Sequence, residues 1–284
     1  MMAWRPTWRA TVAAALVVCA AHAARAAGED AAGQSLEQAA SDPTASLMSV
    51  SVQDIYAGSY HQLDDESGNT LLLRSSVPFT TGSLEHIARA TLPIVTDSPS
   101  GESGLSDLVL FDLIKFEKSW GRWGIGPVLL APTATDDAIG ADKWAIGPAI
   151  GFVARSNKLM WGLFNQNLLS FAGDSDREDV NVSILQPIVN YSLPDKWSIG
   201  TSEMNVTYDW ERDAWTALPL GVKLARLVKF GKVPVQFAGG YEYNLALIGL
   251  LAPIMLLGPG CFAVGKFLPL PKSATTGKPI LPLE

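Results

Sequence analysis

Residues 200–210 read "GTSEMNVTYDW". Met204, Val206, Tyr208 and Trp210 fall on one side of an extended chain, and Glu203, Asn205, Thr207 and Asp209 fall on the other. Strand side chains alternate with a period of two, so this run has one apolar and one wet face. The apolar face must meet either a protein core or lipid. The rest of the chain decides between them.

Extended segments recur near 46–60, 68–79, 84–95, 105–117, 122–131, 143–154, 158–172, 180–193, 196–210, 215–229 and 232–245. No segment beyond the first 26 residues sustains a 3.6-residue apolar period, which predicts an all-β chain. In "KWAIGPAIGF", Trp144, Ile146, Ile150 and Phe152 oppose Ala145, Gly147, Ala149 and Gly151. Leu218, Leu220, Val222, Leu224, Val228 and Phe230 likewise oppose Ala217, Gly221, Lys223 and Ala225. The second faces are small or polar, which predicts a crowded, wet interior. Most runs exceed the about 5–6 residues usual in soluble folds and reach the about 9–11 that a tilted strand needs to cross a bilayer.

The connections favour lipid. Long ones (61–67, 96–104, 132–142, 173–179, 211–214) alternate with short ones (80–83, 118–122, 155–158, 194–196, 229–232). The long set holds fourteen acids against Arg177 and Arg212, and the short set holds seven bases against Asp195. Long loops on one rim and tight turns on the other mark an outer-membrane barrel. Tryptophan and tyrosine gather near the run ends, where amphipathic rings suit the membrane interface. The fold expected is a single all-β domain, an antiparallel up-and-down transmembrane β-barrel of about 12 strands. Eleven strands are read, and the last is lost or replaced.

The barrel is expected over residues 46–245. Residues 1–26 read as a secretory signal peptide: Arg5 and Arg9, then the apolar "ATVAAALVVCAA", then small-x-small sites ending at Ala23 and Ala26. Its removal takes three of the 21 basic residues, leaving 18 against 28 acidic and a net charge of −10. Such a chain is a poor partner for nucleic acid. Cys261 is the sole cysteine beyond Cys19, so no internal disulfide is expected after export. Residues 27–45 read as a mobile acidic leader.

The stretches "SGLSDLVLFDLIKFEK", "WGIGPVLLAPTATDDAIGADKWAIGPAIGF", "LLSFAGDSDREDVNVSILQPIVNYSLPDKWSIGTS" and "GKVPVQFAGGYEYN", with "DPTASLMSV" before them, carry a resemblance. Over residues 42–245 the chain resembles the bacterial outer-membrane proteins labelled "MetA-pathway of phenol degradation", often described as transporters. The resemblance implies a barrel in the outer membrane that moves small, often aromatic or hydrophobic compounds. It implies no catalytic residues.

Glu203, Asn205, Thr207, Asp209, Lys223, Gln236 and Glu242 are expected to project into one lumen. There they would either line a solute path, with a preference for cations, or form a salt-bridged plug around Lys223. Passive movement or capture of small solutes is the function expected. The alternative is a closed structural barrel whose acidic loops bind surface partners. In the loops, Asp136 and Asp137 of "PTATDDAIG" read as turn formers matching the resemblance. Asp174, Asp176, Arg177, Glu178 and Asp179 of "GDSDREDVN" read as a solvated loop rather than a calcium site, since the glycine of an EF-hand loop is missing. His61 and His86 are the two histidines beyond the signal, and no G-x-S-x-G elbow marks a nucleophile. Neither an enzyme, a metal nor a cofactor is expected. The partners expected are membrane lipid and a small solute, with no oligomeric state indicated.

Alternation ends at about Asn244. "LALIGLLAPIMLLGPGCFAVG" follows without a charge, and the chain closes on "KPILPLE". Glycine and proline disfavour a helix there. Single-chain bacterial barrels use even strand numbers, so residues 246–284 are expected to read out of frame in place of a twelfth strand.

Overall fold

The computed structural model describes residues 11–18, 35–58, 66–231 and 233–244. The chain opens with strand β1 (Thr11–Val18), a one-turn helix α1 (Leu36–Ala39) and β2 (Ser49–Ala57). Then come β3 (Gly68–Thr81), β4 (Leu84–Asp97), β5 (Gly104–Leu105), β6 (Leu108–Lys118), β7 (Gly121–Ala131) and β8 (Lys143–Ser156). The last are β9 (Leu159–Gly173), β10 (Asn181–Ser192), β11 (Trp197–Thr201), β12 (Val206–Asp209), β13 (Ala214–Ala217), β14 (Pro219–Phe230) and β15 (Val233–Asn244). Nearly all of this is one antiparallel sheet, and each of the eleven segments read from the sequence contains a strand. No helix among the described residues is long and apolar enough to cross a membrane.

Strands adjacent in sequence pair in space from β2 to β10, apart from the two-residue β5, which flanks β4. The main path ends at β11 on one side and β13 on the other. A short extra pairing, Asn190–Ser192 of β10 with Ser198–Gly200 of β11, links the two sides, because β11 also pairs with β14.

The eleven segments leave β2 and β15 facing one another across a gap. Thr11–Val18 occupies it, antiparallel to both. This stretch lies inside the expected signal peptide. Two strands that are each antiparallel to a third run parallel to one another, so β2 and β15 cannot continue the antiparallel ladder without a strand between them. The expected out-of-frame tail, 246–284, lies outside the described residues.

The sheet has a buried and an exposed face. In β8, Ala145 and Ala149 are fully buried, whereas Ile146 is 48% exposed. In β14 and β15, Leu220 is 59% and Phe237 45% exposed. Val50, Leu73, Trp161 and Leu169 continue this apolar exposed face on other strands. Asp54 and Arg226 interrupt it, as does Asp112, which pairs with His86 at 2.9 Å.

The buried face differs from the wet one expected. Across β6 to β10 it is an apolar cluster of Phe111, Leu113, Val128, Val153, Met160, Phe164, Leu168 and Ile188. The reason is visible in runs such as "LVLF" and "LMWGLF", which are apolar on both faces. The remaining arc, formed by β2 to β4, β11, β14 and β15, is mixed: Ser76, Ser198 and Gln236 are buried there beside Ile87, Ala225, Leu227 and Val235.

The segment before β2 packs on this face. Ser35 caps α1 by accepting a hydrogen bond from the Gln38 amide. Gln38, Asp42 and Thr44 are buried, and Ala39, Ala45 and Leu47 form a small apolar cluster. Of the expected mobile leader, 27–45, residues 35–45 are described, and they pack on this face.

Candidate functional site

Residues 200–210 do not form one continuous strand. Residues 202–205 leave the ladder between β11 and β12. Across them the pairing with β10 slips by one residue, from Asn190↔Gly200 to Val182↔Asp209. One inserted residue reverses the facing of everything on one side of it. The sequence pattern places Met204 on the outer, apolar side, but it is 6% exposed, with its sulfur accepting from the Gly221 amide. Trp210, above the slip, lies on the exposed face.

Glu203, on the wet side of the sequence pattern, lines a cavity of about 90 Å3 on the remaining arc. There it meets Arg74 from the middle of β3. The guanidinium donates through Nη1 at 2.6 Å and Nη2 at 2.9 Å to the two carboxylate oxygens, while Nε donates to Thr91 at 3.2 Å. This two-pronged geometry is the strong form of a carboxylate contact. Lys223 of β14 reaches the same cavity, where Nζ donates to the Ser41 hydroxyl at 3.4 Å. Arg89 of β4 also lines it; its guanidinium lies 5.1 Å from the centre of the Phe111 ring, and its Nε is buried without a hydrogen-bond partner.

The remaining lumen candidates divide. Gln236 is buried, lines the cavity and donates to the Glu37 carbonyl at 3.2 Å. Glu242 accepts from the Ser202 hydroxyl at 2.7 Å. Asn205 is exposed, and Thr207 donates to the Asn205 carbonyl, away from the cavity lining. Asp209 does turn work: one oxygen accepts from the Glu211 and Arg212 amides at 3.0 and 3.1 Å.

At the short-turn end, the segment before β2 is tied to the sheet. Gln38 donates to the Lys158 carbonyl, Arg122 to the Thr44 carbonyl at 3.0 Å, and Lys115 to the Ser46 hydroxyl at 2.6 Å. Glu117 bridges Lys115 at 3.1 Å and Arg122 at 3.5 Å. Residues 35–48 therefore obstruct this end of the buried face.

The loop candidates hold their own loops. Asp136 accepts from the Ala138 amide at 2.9 Å, and Asp174 from the Asp176 amide at 2.9 Å. Arg177 joins the two loops by donating to the carbonyls of Asp137 and Gly140. Glu178 pairs with Arg212 at 2.5 Å. Asp179 accepts from Lys143 at 2.9 Å and Ser170 at 3.1 Å, and these hydrogen bonds, the Lys143 one foremost, hold its carboxyl below the usual aspartate range. Among the described residues no three His, Cys, Asp or Glu side chains gather to hold a metal ion.

Sequence reasoning missed three residues. Arg74 and Arg89 lie in an earlier part of the chain than the cleanly alternating half. The clue to Arg74 is a lone cation within "LLLRSS". Asp107 is buried and accepts from the amides of Thr133, Ala134 and Ala141, pinning the loop that carries Asp136 and Asp137.

Comparison of the chain with family models, curated proteins and solved structures returns no match.

Proposed function

We infer that this chain is a bacterial outer-membrane β-barrel with an occluded lumen, through which small solutes move passively once residues 35–48 shift. The observation carrying this reading is the exposed apolar face. Large apolar side chains stand exposed on strands all along the sheet, including Val52, Val77, Ile125, Ile150, Val189, Leu224 and Phe237. A soluble chain rarely exposes apolar surface on this scale, whereas lipid accepts it.

Other features agree with it. Strands β3, β4, β8 and β9 have 14 or 15 residues, enough to cross a bilayer at a tilt. Exposed Tyr56, Trp144, Trp210, Trp215 and Tyr241 lie toward the long loops, and Trp120, Trp161 and Tyr191 toward the short turns. Two such belts suit the two membrane interfaces. The β10–β11 pairing gives the sheet a route to closure. Acidic long loops would then face outside and basic turns the periplasm. The resemblance to the phenol-degradation MetA proteins leads to the same class.

The closed-barrel alternative has its own support, because an apolar cluster fills one side of the lumen and residues 35–48 the other. Conductance in planar bilayers separates the two. Transport predicts that deleting residues 35–45 raises the conductance of a correctly inserted barrel severalfold. No conductance with or without that segment would leave the closed barrel.

A further inference from the structure

The cavity beside Glu203 has an unbalanced charge. Its lining includes three cations, Arg74, Arg89 and Lys223, against one carboxylate, Glu203. Glu203 is committed to Arg74 by two short hydrogen bonds. The further carboxylate whose field reaches Arg89 is Asp42, which stands outside the lining and accepts from the Thr44 amide and hydroxyl at 2.8 and 2.6 Å. Arg89 makes no hydrogen bond through its buried Nε, and the Lys223 ammonium, in the field of Glu203, makes one long hydrogen bond, to a hydroxyl.

Buried donors of this kind are normally satisfied, and an unmet charged donor is costlier than a neutral one. Two under-used cations facing one small cavity, with Ser51, Ser76 and Gln53 at its wall, are complementary to an oxyanion. A volume near 90 Å3 has room for a few waters or for one small anionic group, since a single water needs roughly 10–15 Å3 on this measure.

We propose that the cavity binds a small oxyanion, a carboxylate or phosphate group, between Arg89 and Lys223. The charge thus favours anions, where the sequence pattern, dominated by Glu203 and Glu242, suggests cations. As the substrate class of the transport path, the anion rests on the barrel reading. As a binding site, it does not depend on the lumen conducting.

The test is equilibrium titration of detergent-folded full-length protein with acetate, benzoate and inorganic phosphate, with heat-modifiability on gels as the folding control. Saturable binding of at least one of them is expected. Arg89→Gln and Lys223→Gln should each weaken it roughly tenfold, the cost of losing one charge-assisted hydrogen bond. Lys223→Arg should retain it, and Glu203→Gln should strengthen it by freeing Arg74. The three probes separate carboxylate from phosphate as the preferred group. No saturable binding by folded wild-type protein, or binding indifferent to both cation substitutions, overturns the proposal. Binding without conductance would leave this site standing and remove the transport reading.

Discussion

Removing both chain ends, to leave residues 27–244 behind a foreign cleavable signal, should abolish folding into the membrane. β1 pairs with β15 and with β2 over all of Thr11–Val18. In an antiparallel ladder alternate residues direct N–H and C=O toward a given neighbour, so loss of β1 strands roughly sixteen backbone groups on the two edges. Each unsatisfied group in hydrocarbon costs several kcal/mol, which puts the total on the order of tens of kcal/mol. A whole domain is stable by only about 5–15 kcal/mol. An open gap therefore outweighs everything else that holds the sheet, and β2 and β15 run the wrong way to close it themselves. The assay is semi-native electrophoresis with trypsin protection after export or refolding into liposomes. The expected outcome is no heat-modifiable band for 27–244, and a folded band when residues 11–18 are kept. A compact, trypsin-resistant 27–244 barrel would refute the reasoning.

Arg74→Ala should destabilise the fold by about 3 kcal/mol by removing the hydrogen-bonded partner of Glu203, and Arg74→Ala with Glu203→Ala by less; urea unfolding in detergent measures both. Asp107→Ala strips acceptors from three loop amides at a cost of about 1–3 kcal/mol for each one left buried, and should expose residues 132–142 to proteases. Because Lys143 lowers the Asp179 pKa, this tie is present at neutral pH and above. It should be lost as pH falls below the ordinary aspartate range through the lowered folded value, and Lys143→Met should remove that pH dependence from loop proteolysis. Gly126→Ala should prevent folding, since a Cβ there would lie 1.8 Å from the Asp112 carbonyl oxygen.

The strand positions were legible because period-two alternation survives wherever a strand has two different solvents. "KWAIGPAIGF" and the Leu220–Leu224 run show it plainly. The signal fails in two physical situations. Strands apolar on both faces, such as β6 and β9, hide an inward apolar cluster, so a wet buried face is inferred where apolar side chains pack. A bulge leaves composition unchanged while reversing the faces, which is how Met204 comes to be buried. The Arg74–Glu203 pair joins residues 129 positions apart, and no local pattern connects them. The segment at 35–48 lacks alternation altogether, and its packing depends on contacts with turns far along the chain.

Spin labels along β14 read whether the exposed face of this sheet meets lipid. In a Cys19→Ser, Cys261→Ser background, single cysteines at Leu220, Gly221, Val222, Lys223 and Leu224 would be labelled in protein reconstituted in liposomes. Collision with oxygen reports lipid, and collision with a water-soluble nickel chelate reports water. Oxygen accessibility should be high and nickel accessibility low at Leu220, Val222 and Leu224, with the opposite or general protection at Gly221 and Lys223. Strong nickel collision at the three apolar positions, in protein that is folded and membrane-bound, would contradict lipid contact.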